Sequence, residues 1–86
     1  MLTVEEITKK LREYKQLCKK GAIREWEVCT ATNDSGELKH TIDIKLGSDI
    51  VFGSGFLNGI VHDLGASGFS LIVENHQLHI RYIIEE

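Results

Sequence analysis

Apolar side chains recur every three or four positions over residues 3–20, which is the spacing of an amphipathic helix. The apolar stripe consists of Ile7, Leu11, Tyr14 and Cys18, flanked by Val4 and Leu17. Thr3 and Glu6 have the spacing of a capping box, in which each side chain accepts from a backbone N–H of the other residue. Gly21 is placed to end the helix in the left-handed conformation. The pattern therefore predicts a helix from residue 3 to residue 20.

The pattern changes to alternation of apolar and polar side chains over residues 23–46, which predicts two half-buried antiparallel strands. The sequence Asp34-Ser35-Gly36 suits a three-residue turn closed by a left-handed glycine, so Asn33 should lie opposite Glu37. The register that follows pairs Thr30 with His40, Val28 with Ile42 and Trp26 with Ile44. Trp26 and its apolar neighbours should then face the helices.

A second helix is predicted over residues 55–65, where apolar side chains again share one face and Ser54 can cap the start. That face consists of Phe56, Leu57, Ile60, Val61 and Leu64. Gly65 and Gly68 would end the helix. Gly59 lies inside it, at a cost of about 1 kcal/mol relative to alanine. Because a buried contact usually explains such a glycine, we expect another backbone to pack closely against Gly59.

Residues 69–84 predict a second hairpin, because β-branched and aromatic residues flank a two-residue Asn75-His76 turn. Three apolar pairs should then share the helix-covered face: Val73 with Leu78, Leu71 with Ile80 and Phe69 with Tyr82. The elements follow the order α-β-β-α-β-β. We predict one domain spanning residues 1–86, with an α+β fold in which a four-stranded antiparallel sheet carries both helices on one face.

The glycines between the two hairpins raise the question of a phosphate-binding site. Gly53, Gly55 and Gly59 spell GxGxxxG, one residue longer than the dinucleotide fingerprint. That fingerprint also needs a βαβ unit, whereas a hairpin follows here, and the sequence has no Walker lysine. The sequence therefore predicts no nucleotide and no other cofactor. Free amides near Ser54 and Gly55 leave a bare anion at the helix start as the alternative.

The stretch FLNGIVHDLG, residues 56–65, resembles the helix motif of the LAGLIDADG homing endonucleases, with Leu57, Gly59 and Gly65 at matching positions. That family also builds α-β-β-α-β-β units whose sheet lies on DNA, so the resemblance implies DNA binding and metal-dependent cleavage. The chain departs from the motif at the metal-binding acid, where Leu64 stands instead. The motif helix is also the second helix here rather than the first, and the outer sheet face is acidic. The sequence therefore predicts no nuclease activity.

Candidate chemistry is sparse elsewhere. The histidines lie on different predicted elements, so we expect no metal site from His40, His62, His76 and His79. Cys29 lies opposite Thr41 with His79 on the next hairpin, but an open sheet face offers no pocket to lower the pKa of a thiol. Glu25 opposite Lys45 predicts a cross-strand ion pair. We therefore predict no enzyme activity.

The composition is that of a globular protein, with 42% hydrophobic and 27% charged residues. No apolar run approaches the roughly 20 residues of a membrane span, and the acidic start of the chain is unlike a signal peptide. Cys18 and Cys29 have neither metal nor redox spacing and are expected to be free thiols. These features predict a cytoplasmic protein that does not act on a membrane.

Charge is unevenly distributed along the chain. Residues 1–24 carry seven Lys and Arg against three Glu, a net charge of +4, whereas residues 25–86 carry three against ten acids, a net charge of −7. Because the basic side chains of the first helix could contact phosphates, nucleic-acid binding is the alternative function. Its predicted contacts are Lys9, Lys10, Arg12, Lys15, Lys19 and Lys20.

Protein binding is the main functional prediction. The outer sheet face is apolar for a solvent-exposed surface, which is typical of an interaction site. Its predicted contacts are Cys29, Thr41, Ile72, His79, Arg81 and Ile83. No element follows the C-terminal strand, LHIRYII, so we expect it at the sheet edge, paired with a second copy in a homodimer. The predicted role is that of a regulator, inhibitor or accessory subunit, a kind of protein common in phages and mobile elements.

Overall fold

The structure is a computed structural model, and it describes residues 1–18, 21–47 and 54–85. Within these ranges the elements are α1 (Val4–Leu17), β1 (Ile23–Thr32), β2 (Leu38–Leu46), α2 (Ser54–Leu64), β3 (Gly68–Glu74) and β4 (Gln77–Glu85). The four strands form one antiparallel sheet in the order β1-β2-β4-β3. The predicted α+β class and element order are confirmed.

The start of α1 is the predicted capping box, but its end differs from the prediction. The amide of Glu6 donates to the Thr3 hydroxyl and the amide of Thr3 donates to the Glu6 carboxylate, both at 3.2 Å. The helix ends at Leu17, because Cys18 turns extended and packs its side chain against the core. Gly21 is left-handed, with φ +85°, yet it lies beyond the helix end. The predicted cap at Gly21 is therefore wrong.

Both predicted hairpin registers are confirmed. In the first turn, the Asn33 amide donates to the Glu37 carbonyl at 2.9 Å, and Gly36 has φ +81°. In the second turn, Asn75 and His76 both have positive φ, +50° and +61°, as a type I′ turn requires. These turns fix which side chains of each strand point to the helices.

The hydrophobic core lies between the two helices and the two central strands. Ile7 and Leu11 of α1 and Ile60 and Leu64 of α2 are buried. Beneath them, every second residue of β2 and β4 is buried, including Ile42, Ile44, Leu46, Ile80, Tyr82 and Ile84. The strands richest in buried apolar side chains are therefore the ones that both helices can cover.

The C-terminal strand is not at the sheet edge, so that prediction is wrong. β4 pairs with β2 from Lys39↔Glu85 to Lys45↔His79 and with β3 on its other side. Its buried Ile80, Tyr82 and Ile84 explain the position, because only a central strand lies beneath both helices. Because β4 is paired on both sides, a second copy cannot join it as an edge strand, and among the strands that the structure describes the outer ones are β1 and β3.

The contact predicted at Gly59 is also absent from the described part of the chain. No atom of another described element lies within 4 Å of the position that a methyl group on Gly59 would take. Because α2 rests on the core through Ile60 and Leu64, helical geometry turns Gly59 away from the sheet. The helix ends as predicted at Gly65, which has φ +67° and donates its amide to the His62 carbonyl.

Candidate functional site

An apolar patch lies exposed on the helix side of the sheet, along its β3 edge. We call it the edge patch, and its members are Phe69 (36% exposed), Leu71 (59%), Val73 (72%) and Leu78 (37%). The predicted pairs place these side chains on the correct face. The prediction that the helices cover them is wrong, because the helices lie over β1, β2 and β4 instead.

Contacts between the helices explain why α2 leaves β3 uncovered. The rings of Tyr14 and Phe56 meet edge to face, with centroids 5.8 Å apart, and the Tyr14 hydroxyl donates to Asp63. These contacts hold α2 against α1. On the sheet side, the Tyr82 hydroxyl lies 3.5 Å from the Leu57 carbonyl oxygen, which places α2 above β4. On the next strand outward, β3, the Phe69 ring still contacts Tyr82, with centroids 5.8 Å apart, whereas Leu71 and Val73 are more than half exposed.

The backbone of β3 also points toward solvent at the same residues. Glu74 and Gln77 flank a two-residue turn, and such flanking residues form a hydrogen-bonded pair. The alternation that follows directs the N–H and C=O groups of Val73, Leu71 and Phe69 away from β4. The edge patch therefore combines apolar side chains with main-chain groups that another strand could bond.

The six predicted protein contacts all lie on the sheet face opposite the helices, which we call the open face. Thr41 stands between Cys29 and Ile83, and the next rows bring Arg81 beside Ser70 and His79 beside Ile72. Cys29 is exposed and the other five, Thr41, Ile72, His79, Arg81 and Ile83, are half-buried. The structure places them together on one surface, and their binding role stays a prediction.

Two ion pairs neutralise charge on the open face. Arg81 donates to both carboxylate oxygens of Asp43, at 2.7 and 3.0 Å, and this bond raises the pKa of the guanidinium. Lys45 lies 2.8 Å from Glu25, as predicted, which lowers the pKa of Glu25 and raises that of Lys45. Because these charges are internally paired, the open face is polar without being a strong single-sign surface.

The basic residues of α1 do not form a continuous positive stripe. Lys9, Arg12 and Lys15 are exposed and Lys10 is half-buried, whereas Lys19 and Lys20 lie outside the described residues. Three glutamates share the helix, so Val4–Leu17 carries four bases against three acids. Lys15 is also engaged, with its ammonium 5.9 Å from the Trp26 ring centroid. Acidic residues on the same helix thus offset most of the positive charge of the predicted phosphate contacts.

The other candidate groups are dispersed. Across residues 1–18, 21–47 and 54–85, no three His, Cys, Asp or Glu side chains come together as metal ligands. His40 is buried and its Nδ1 lies 2.8 Å from the Thr30 hydroxyl. Cys18 and Cys29 are free thiols, and burial raises the pKa of Cys18. No helix in the described part of the chain is long and apolar enough to cross a membrane.

The fold and this surface define a two-layer α+β domain in which Trp26 and Val28 on one edge strand are half-buried, whereas Leu71 and Val73 on the other are exposed. Comparisons with family models, with curated proteins and with solved structures found no match to this chain. The edge patch was missed in the sequence because all three apolar pairs of the second hairpin were assigned to the helix-covered face. The distribution of charged residues between the two edge strands could have indicated the patch. β1 carries Glu25 and Glu27 within the strand, whereas β3 has one charge, Glu74, at its end.

Proposed function

We propose that the chain is a protein-binding domain without enzymatic activity, which acts as a regulator, inhibitor or accessory subunit. The observation that carries the proposal is the edge patch beside a strand edge that no other described strand pairs with. Leu71 and Val73 are more than half exposed, and the same residues present outward main-chain groups. A long, weakly charged apolar edge is a liability that proteins normally cover, so its presence favours a partner.

The mode of binding that this surface supports is strand addition. An extended segment laid against β3 would bond to the outward backbone groups of Phe69, Leu71 and Val73. On the helix side it would contact the edge patch, and on the open face it would reach Ile72, which is half-buried. The other predicted open-face contacts, including Ile83 and Arg81, continue this surface across β4. The free thiols favour the cytoplasm as the proposed compartment.

Photo-crosslinking in the native host tests the proposal directly. A benzophenone amino acid is placed at Val73 in the edge patch and, as the matched exposed control, at Arg12 on α1. We expect discrete protein adducts from position 73 and their loss when Leu71→Lys is added. Absence of a protein adduct from position 73 would contradict the proposal.

Nucleic-acid binding is the competing outcome of the same experiment. It predicts nuclease-sensitive adducts from position 12 and none from position 73. In solution, it further predicts fluorescence-anisotropy binding to labelled DNA or RNA that weakens steeply with salt and with Lys9→Glu plus Arg12→Glu. Under the protein-binding proposal these two substitutions leave the position 73 adducts unchanged.

A further inference from the structure

We propose that the partner of the β3 edge is β3 of a second copy, joined antiparallel about a two-fold axis at Leu71. The proposal rests on the proposed function, since it names the occupant of the same surface. It differs from the dimer expected from the sequence, because β4 is central and cannot supply the interface. Joining two copies would produce one continuous eight-stranded sheet with two helices of each copy on the same side.

The alternation of β3 allows this pairing in a defined register. The outward backbone groups belong to Phe69, Leu71 and Val73, so these residues must form the hydrogen-bonded pairs of any new antiparallel ladder. Centred on Leu71, the ladder sets Leu71 opposite its own copy and Phe69 opposite Val73 of the second copy. All of these side chains lie on the helix side. The pairing therefore brings Leu71 and Val73, the most exposed members of the edge patch, into contact with edge-patch residues of the second copy.

Charge and the second face are compatible with the same register. On the open face, Ile72 would lie opposite Ser70 of the second copy, and Glu74 would lie opposite Gly68. The two Glu74 carboxylates are then at opposite ends of the ladder, six residues out of register, or about 20 Å apart. Self-pairing of β3 therefore brings no like charges face to face, which would be destabilising.

The side of α2 that faces β3 adds apolar surface to this interface. Phe56 and Asp63 face α1 through Tyr14, so the helical rotation places Leu57 and Val61 on the opposite side. Both are half-buried and pack against the core. In the dimer, the two α2 helices would stand on either side of the joined β3 strands, with Leu57 and Val61 lining the walls of that groove.

The other free edge is unsuited to the same pairing, which explains why the assembly closes at two copies. β1 carries Glu25 and Glu27 within the strand, and charged edge residues oppose strand addition. Pairing of β3 with β1 of another copy would be head to tail and would propagate into a filament. A two-fold β3–β3 contact uses up the apolar edge and leaves only the charged one exposed.

Oligomeric state is the first test. Sedimentation equilibrium of the full chain from low micromolar to millimolar concentration should show a monomer–dimer equilibrium. Leu71→Lys sets two ammonium groups against each other at the axis and should raise the dissociation constant at least about 100-fold. Thr32→Lys is the control, because Thr32 is exposed on the helix side of the other edge strand, β1, and it should leave the constant unchanged. Circular dichroism confirms that both variants fold.

Cysteine crosslinking tests the register, in a background of Cys18→Ala and Cys29→Ser. Leu71→Cys should form a symmetric disulfide, since opposed residues of a hydrogen-bonded pair have Cα atoms about 5.5 Å apart, within disulfide reach. Phe69→Cys and Val73→Cys should each remain uncrosslinked alone, because each lies about 13 Å from its own copy. Mixed together, they should form a heterodimer. Thr32→Cys is the negative control.

Each outcome decides between this inference and the proposed function. A monomer at every concentration, or a dimer that Leu71→Lys does not weaken, overturns the self-pairing. In the photo-crosslinking experiment, an adduct with twice the chain mass supports both statements. An adduct of a different mass, with a monomeric free chain, overturns the self-pairing while supporting protein binding. Absence of any adduct from position 73 together with a monomeric chain overturns both.

Discussion

The two halves of the chain repeat one arrangement, a helix followed by a hairpin, yet they treat their outer strands differently. In the first half, α1 lies close to β1, where the Lys15 ammonium sits over the Trp26 ring and donates to the Arg24 carbonyl at 3.4 Å. Trp26 and Val28 are half-buried there. In the second half, α2 leans toward α1, and Leu71 and Val73 on β3 remain exposed.

The difference shows that equal topology does not give equal surfaces. The central strands β2 and β4 are buried alike, because both helices rest on them. The outer strands differ because one Tyr14-centred contact between helices sets where α2 lies. The first half thus has a charged edge strand with half-buried apolar side chains, and the second half has an apolar edge strand with exposed ones. This contrast can be tested by substitutions made in parallel in both halves.

The largest effects should come from the centre, where the halves are equivalent. Ile44 of β2 and Ile80 of β4 face each other and are each 1% exposed. We expect Ile44→Ala and Ile80→Ala each to lower the free energy of unfolding by about 2–5 kcal/mol, since each leaves a cavity in the core. Urea denaturation measures both. A small loss at only one of them would mean that the helices do not cover the two strands equally.

The outer strands should respond unequally. Trp26→Ala removes a half-buried ring and should cost about 2–3 kcal/mol, below the range for fully buried rings. Leu71→Ala removes an exposed side chain and should cost under about 1 kcal/mol, measured at a concentration where the chain is monomeric. Equal losses at the two positions would contradict the contrast between the half-buried side chains of β1 and the exposed side chains of β3. A rise in the Leu71→Ala cost with protein concentration would sharpen it.

Sequence reasoning succeeded where local rules decide the structure. The capping box at Thr3, the left-handed Gly36 and the Asn75-His76 turn are all local features. The capping box begins α1, and the two turns fix the register within the two hairpins. The alternation of side chains then gave the two faces correctly, including the Lys45–Glu25 ion pair.

Apart from the local error at the end of α1, the errors concern how the elements come together. Local patterns do not say which strand of each hairpin joins the other, so β4 was placed at the edge rather than the centre. They also do not say where a helix sits across a sheet, so Leu71 and Val73 were assigned to the core. The candidate site results from these two tertiary features, the strand order and the position of α2 across the sheet. It could therefore not be derived from the periodicity that correctly predicted the elements.

Alkaline pH should lower the free energy of unfolding through Tyr82, a buried residue of the second half. Burial raises the pKa of Tyr82 from 10.0 to about 12, so the folded chain holds this proton where the unfolded chain loses it. This stabilisation is fully present below pH 10 and is lost as the pH rises through 12. The loss in the free energy of unfolding at pH 11 is about 1.4 kcal/mol. Urea denaturation at pH 9 and pH 11 should show this extra loss in the wild type and not in Tyr82→Phe.

Tyr14 of the first half offers a comparison with Tyr82, because the two tyrosines should respond differently to alkaline pH. Burial and the bond to Asp63 raise its pKa to about 12 as well, but its side chain is only half-buried. Water screens such a group, so Tyr14→Phe should reduce the alkaline loss by less than Tyr82→Phe does. The reverse order would mean that the contact between the helices, rather than the packing of α2 on β4, dominates the second half.

The smallest effect concerns the helices themselves. Gly59 lies inside α2 with open space where a methyl group would go, whereas α1 contains no glycine. Gly59→Ala should therefore stabilise the chain by about 0.5–1 kcal/mol, because alanine lowers the entropy of the unfolded state and favours the helix. Glu13→Gly, at an exposed position of α1, should cost about 1 kcal/mol in the opposite direction. Thermal melts of both variants measure these two changes in stability. Destabilisation by Gly59→Ala would show that α2 packs closely against a neighbour at that point, which would move α2 and weaken the explanation for the exposed β3 edge.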